Sequence, residues 1–248
     1  MRSLEKSLVK YRSYEMLLIL FYSEQIRESI VSSLIATQEL GIAYNYCEER
    51  LIDRGKANLN EKVYKTLVKE SVIVEKEADE LKSIINYRND IAHRTNQIFY
   101  DVASVNLRFF SKHTLYKSDI FEKAKYWNKE IPKRMMGNFV QELSYNSINF
   151  DPIEKFYISQ MKRLEQKISR LYLRRMKETK NLNKQIDEIN NNPEYKFVLQ
   201  TRFKSKGRLT SEGKNAISNL YKVGFDKRVI ARVMDISVQT INRYCERY

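Results

Sequence analysis

The sequence predicts an all-α fold, and three observations carry that expectation. The 248 residues include only 6 Gly and 3 Pro, too few turn formers for a many-stranded β fold. Apolar residues recur at helical spacing almost throughout. Lys, Glu, Leu, Ile, Arg and Gln, all good helix formers or compatible with helices, are abundant. A hydrophobic content of 42% is enough for a real core, and the length suits one large or two small domains. The expected organisation is a helical bundle over 1–150, a long helical connector over 151–192, and a basic arm with a small helical domain over 193–248.

The first element spans 3–45, as one long helix or two in close succession. Leu4, Leu8, Tyr11, Glu15, Leu18 and Tyr22 run down one face, continued by Ile19, Ile26, Ile30 and Leu34. Gly41 and the Asp53-Arg54-Gly55 stretch mark breaks. Asn60 is a fair N-cap for a helix from 61 to about 74, with Val63, Leu67 and Val74 facing inward. A further helix starts near 77 and ends near 100–106. Helical segments then occupy roughly 106–147, ending at Asn146-Ser147. Loops this short suit antiparallel neighbours in a bundle of four or five helices.

Asp151-Pro152 opens the connector, since Asp can cap and Pro is tolerated at the first helical position. Met161, Leu164, Ile168 and Leu171 follow the 3-4-3 spacing of a coiled-coil seam. The seam loses its apolar residues at Arg174, Arg175 and Glu178 and regains them at Leu182, Ile186 and Ile189. An uninterrupted helix from Ile153 to Ile189 would reach about 55 Å. Two outcomes stay open here, a dimeric coiled coil or a helix packed on its own bundle. Asn190-Asn191-Asn192-Pro193 is a boundary.

The net charge of +14 is unevenly placed. Residues 1–100 carry 15 basic and 15 acidic side chains, whereas 201–248 carry 11 and 4, a net of +7. A localised basic excess is the electrostatic footprint of a nucleic-acid binder. Cys47 and Cys245 lie in different regions, which argues against a disulfide framework, and no cysteine spacing suits a metal. Two histidines with scattered carboxylates give no transition-metal site, and no Gly-rich loop cradles a phosphate. No cofactor is expected. The apolar run Leu17–Tyr22 is far too short to span a membrane and has Glu15 and Glu24 beside it. With no signal pattern at the start, a cytoplasmic protein is expected.

In the last forty residues, Leu209-Thr210-Ser211-Glu212-Gly213 starts a helix that buries Ile217, Leu220 and Tyr221, and Gly224 ends it. Asp226 caps a second helix over 227–234, and Ser237 caps a third over 238–246. Ile230, Met234, Ile236, Ile241 and Tyr244 occupy apolar positions, with Ala231 as the small residue where helices cross. This pattern, running from Leu220 through Ile236-Ser237-Val238-Gln239-Thr240-Ile241-Asn242-Arg243-Tyr244, resembles the C-terminal helix-turn-helix module of resolvases and invertases. Asp235 departs from it, standing where the turn usually carries Gly. Asp tolerates the left-handed conformation better than most residues. The resemblance implies DNA binding, with Val238, Gln239, Thr240, Asn242 and Arg243 at the base edges of a major groove. Gln pairs with adenine and Arg with guanine. Lys227, Arg228, Arg232 and the arm of Arg202, Lys204, Lys206 and Arg208 would meet phosphates or enter a minor groove. The recombinase catalytic domain is not expected, because the N-terminal region lacks its strand pattern.

Arg88-Asn89-Asp90-Ile91-Ala92-His93 places a cation, an amide and one of the two histidines in one helical stretch. Arg grips phosphate in a bidentate way, and imidazole moves protons near neutral pH. RNA cleavage by its own 2′-hydroxyl needs a proton removed there, a proton delivered to the leaving 5′-oxygen and charge stabilised on the phosphate. The stretch resembles the Arg–polar–x3–His signature of the HEPN family, which sits late in an all-helical bundle. That resemblance implies a bundle over 1–150 and a metal-independent ribonuclease with catalytic Arg88, Asn89 and His93, although some members are inactive binding bundles. Some toxin members carry Tyr two residues after the His, and Thr95 stands there in this chain. One chain supplies one suitable His, so a homodimer with a composite site is expected.

Arg88 and His93 lie about 140° apart on an ideal helix, while Asn89 and His93 share a face. On a straight helix Arg88 joins the stripe of Leu81, Ile84, Ile85, Ile91 and Ala92. The plainer alternative is a solvated or inter-helix Arg/His pair. His113 reads as packed or surface, Trp127 as core, and Tyr100 or Tyr116 as possible platforms for bases. Two functions follow. One is an endoribonuclease of a toxin or phage-defence system, tethered to DNA by its C-terminal module and acting on an RNA substrate. The other is a DNA-binding regulator or adaptor whose bundle only dimerises or binds a partner.

Overall fold

The computed structural model describes residues 3–46, 52, 59, 61–103, 116–141, 145–201 and 208–245. Every element assigned among them is a helix, so the fold class is all-α. In order they are α1 (Ser3–Ala43), α2 (Glu61–Lys69), α3 (Glu75–Ile98), α4 (Tyr100–Ala103), α5 (Ile120–Met135), α6 (Tyr145–Asn191), α7 (Pro193–Thr201), α8 (Ser211–Val223), α9 (Lys227–Met234) and α10 (Val238–Cys245). The chain divides into two compact units, 1–168 and 169–248, and the continuous helix α6 contributes to each.

In the first unit, α1 is one helix and runs through Gly41. A single Gly costs a helix only about 1 kcal/mol, so it does not break this one. Leu18, Ile19, Tyr22, Ile26, Ile30 and Leu34 are buried, as their spacing predicts. They meet Val63 and Leu67 of α2, Leu81, Ile84 and Tyr87 of α3, and Ala124, Trp127 and Ile131 of α5 in one core. Trp127 is buried with its indole satisfied, Nε1 donating to Glu80 Oε2 at 2.8 Å, which removes the cost of a buried donor.

Further details of this unit depart from the sequence reading. Helix α2 ends at Lys69 because the chain turns at Ser71, which is left-handed at φ 58°. That turn puts Val72 and Ile73 inside and leaves Val74 61% exposed, so Val74 does not face inward. Its backbone N–H instead donates to Glu77 Oε2 at 2.9 Å at the start of α3. Helix α3 starts at Glu75 and ends at Ile98. Asp151-Pro152 does not open α6, nor does a helix end at Asn146-Ser147: α6 begins at Tyr145 and keeps Pro152 inside it. An interior proline loses one N–H and crowds the carbonyl four residues back, and Phe150, Tyr157 and Ile158 hold this part of α6 against the first core.

In the second unit the later apolar residues of α6 are already occupied. Ile189 is fully buried, with Leu182 and Ile186 packed beside it, in a core made with Ile217, Leu220, Phe225, Val229, Ile230, Met234 and Ile241. This half of the expected coiled-coil seam is therefore spent within the chain. Met161, at the other end of the seam, is buried in the first core. Helices α8, α9 and α10 start on caps at the places the sequence marks. Thr210 Oγ1 accepts from Gly213 N–H at 3.0 Å, Asp226 Oδ1 from Arg228 N–H at 2.8 Å and Ser237 Oγ from Thr240 N–H at 3.1 Å. Gly224 (φ 103°) ends α8 and Asp235 (φ 53°) ends α9, both left-handed. Tyr221 is an exception to the expected core, being 41% exposed. Phe225 is buried in its place, because the turn at Gly224 swings it inward.

Candidate functional site

Helix α3 carries the Arg88–His93 stretch, and its placement is set by both charge and packing. Its buried face is Ala78, Leu81, Ile84, Tyr87, Ile91 and Ile98. Ile85 is only half-buried and Ala92 is exposed, so the stripe runs through Tyr87 rather than through Arg88. Arg134 of α5 spans Glu77 at 3.0 Å and Glu130 at 3.3 Å, and its guanidinium lies over Trp127. Lys123 reaches Glu80 at 3.4 Å. At the far end of α3, the buried Arg12 donates through Nη1 to the Ile98 carbonyl at 2.9 Å, meeting one of the acceptors a helix leaves open at its C-terminus.

The motif residues lie at the rim of this packing. Arg88 keeps 42% of its side chain exposed, and Asn89 and His93 are exposed. Arg88 Nη1 donates to Asn89 Oδ1 at 3.1 Å. Its Nη2 lies 3.6 Å from Glu24 Oε2 on α1. Glu24 is in turn held by Arg27, whose Nε donates to Oε1 at 3.0 Å. The hydrogen bond from Arg27, with the charges of Arg27 and Arg88, holds the Glu24 carboxyl below its ordinary pKa. Asp90 pairs with Arg94 at 3.4 Å. Directly after His93 the helix is interrupted, with Arg94 at φ −132° and ψ 30°. Arg88 and Asn89 are thus brought together, while His93 stands one turn beyond Asn89 on the last regular residue before the kink.

Beneath the rim lies a buried polar group on α1. Glu15 Oε2 accepts from Tyr116 Oη–H at 2.9 Å, and Arg12 lies 3.9 Å over the Tyr116 ring. Burial pushes the Glu15 carboxyl up to about 7, against the lowering effect of Tyr116 and Arg12. Burial also raises the Tyr116 hydroxyl. Tyr116 therefore has one ring face and its hydroxyl engaged within the protein, and it is not a free platform for a base. Tyr100 is partly exposed. His113 and Cys47 lie outside the described residues.

In the second unit, Val238, Gln239 and Arg243 of α10 are exposed, as are Arg208 and Arg232. Thr240 is half-buried and tied to Ser237, hydroxyl to hydroxyl, at 2.9 Å. Asn242 Oδ1 accepts from Lys227 Nζ at 3.0 Å, and that ammonium lies over the Tyr221 ring, so these two side chains hold each other. Arg228 is 2.8 Å from Asp226 and 2.6 Å from Glu178. Those carboxylates raise its pKa, and Arg228 lowers that of Asp226. Lys206, Arg202 and Lys204 lie outside the described residues.

Glu24 and Arg27 were not legible as part of the site, because they come from a helix more than sixty residues away in sequence. Glu15 did leave a signal: a carboxylate standing on an apolar helical face. Among the described residues no three His, Cys, Asp or Glu side chains are grouped to hold a metal ion, and no helix is long and apolar enough to cross a membrane. What the helices define is a class, an all-α protein of two compact units. No family model, curated protein or solved structure matches the chain.

Proposed function

We propose that the chain is a metal-independent endoribonuclease of HEPN type, an effector of a toxin or phage-defence system, tethered to DNA by a C-terminal helix-turn-helix. One observation carries this reading: the Arg88 guanidinium is held at the protein surface by Asn89 and Glu24, and Asn89 stands one helical turn before an exposed His93. A phosphate arriving at Arg88 exchanges Glu24 for a better-matched anion. Asn89 then orients the guanidinium or bonds a phosphate oxygen, and His93 takes or gives the proton at the reacting oxygens. A second copy supplies the other proton-transfer group, so the active form is a homodimer. In the second unit, exposed Val238, Gln239 and Arg243 read base edges and Arg232 and Arg208 meet phosphate.

Expression in a bacterial host tests the chemistry. The intact chain should arrest growth, and His93→Ala or Arg88→Ala should restore it. Equal growth of all three, with RNA left intact by purified protein, removes the nuclease. Light scattering that shows a monomer at micromolar concentration removes the composite site.

A second reading has its own support, since Arg88 already has a carboxylate partner in Glu24. On it the bundle is a non-catalytic dimerisation or partner-binding module of a DNA-binding regulator. Growth unaffected by the intact chain, together with DNA binding lost on deleting 207–248, favours that reading.

A further inference from the structure

Helix α6 has two faces in the second unit. One is fixed inward: Leu182, Ile186 and Ile189 enter the core, and Gln185 Oε1 accepts from the Asp226 backbone N–H at 2.9 Å. By helical periodicity the opposite face carries Lys177, Lys180 and Lys184, flanked by Arg170, with Arg174 at its edge toward the inward side. All five are exposed.

The charge pattern on this outer face is unlike that of an ordinary solvated helix. Such faces intersperse acids and bases at three and four residues' separation, because like charges at that spacing oppose helix formation. Here Arg170, Arg174 and Lys177 follow one another at those separations, and so do Lys177, Lys180 and Lys184. Lys177 and Lys180 have no carboxylate at either separation. Glu178, which is within reach of Arg174, is drawn to Arg228 at 2.6 Å. Asp187 and Glu188 lie at the end of the row, beside Lys184 alone. A row of self-repelling cations on a helix anchored from behind is stabilised by a polyanion laid along it.

We propose that this outer face of α6 is a second nucleic-acid contact, binding the phosphate backbone of duplex DNA apart from the base edges read by α10. The proposal rests on the reading of the second unit as a DNA-binding module. The cations follow one another about 5 Å apart along the helix axis, a row suited to the regularly spaced charges of a duplex. They contact phosphate only and carry affinity, while sequence is read elsewhere.

The full-length chain tests this with a labelled 30-base-pair mixed-sequence DNA duplex and an RNA duplex of the same sequence, titrated at several salt concentrations. The triple variant K177Q/K180Q/K184Q should flatten the slope of log affinity against log salt by roughly 2 to 3, with at least a roughly tenfold loss of affinity near 0.1 M salt. K177R/K180R/K184R should restore the slope, which separates lost charge from lost folding. If the wild type binds DNA and Arg243→Ala weakens it while the glutamine triple keeps the wild-type slope, the α6 contact is overturned and the α10 reading stands. If the wild type binds no duplex DNA, both fall. A triple that loses affinity for the RNA duplex alone overturns DNA as the occupant.

Discussion

Glu24 Oε2 lies 3.6 Å from Arg88 Nη2, joining α1 to the cation of the candidate site across more than sixty residues of sequence. Both side chains are partly exposed, so the pair is weak by itself. On the proposed function the pair is competitive, since the carboxylate lies beside the donor that a phosphate would take. Glu24→Gln should therefore raise the affinity for a short RNA by about two- to fivefold, read by fluorescence anisotropy with a non-cleavable analogue. Unchanged affinity would show that Glu24 does not compete.

Glu15 links stability to pH. Its folded carboxyl titrates at about 7, above the ordinary value near 4.3. Below about pH 4 the group is protonated in both the folded and unfolded chain. Between there and about 7 the unfolded chain ionises first, so the folded state holds the extra proton and loses stability as pH rises. Glu15→Gln should remove this component. Melting temperatures compared between pH 5 and 7.5 should fall less in the variant than in the wild type, and parallel profiles would refute the linkage.

Ile189 belongs to the second core, and Leu173 on the same helix is 60% exposed. Ile189→Ala should cost about 2–5 kcal/mol through lost burial and a cavity, while Leu173→Ala stays within about 0.5 kcal/mol. Chemical denaturation of the two variants checks this. The reverse order would mean that α6 buries its other side.

Asp235 adopts a left-handed conformation at φ 53° and ψ 47°. Replacing it with Gly should raise stability by about 0.5–1 kcal/mol by removing backbone strain. The greater freedom of glycine in the unfolded chain offsets part of that gain. Asp235→Val should lose at least about 1 kcal/mol, since a β-branched residue is poorly tolerated at positive φ. Thermal melts of both variants give the sign.

Local chemistry was legible from the residues alone. The all-helical class follows from spacing and from the scarcity of Gly and Pro. The caps Thr210, Asp226 and Ser237 were legible because each acts on a backbone N–H two or three residues away. Asp235 is a turn residue whose left-handed conformation belongs to a local helix end, its backbone N–H turning back on Ala231 and Arg232. The Arg88–His93 stretch was visible as a motif because its members share one helix.

The remaining features depended on distant parts of the chain. Sequence spacing offered Leu182, Ile186 and Ile189 equally to a second chain or to the N-terminal bundle, and packing assigned them to neither but to the core of the second unit. Val74 and Tyr221 looked buried by periodicity, yet turns at Ser71 and Gly224 rotated Ile73 and Phe225 inward instead. Glu24 joined Arg88 because α1 packs on α3. A hydrogen bond within one turn of helix is written in the local sequence. The choice of neighbour for an apolar face or a charged rim residue belongs to the whole fold, because burial is non-directional and any complementary surface will serve.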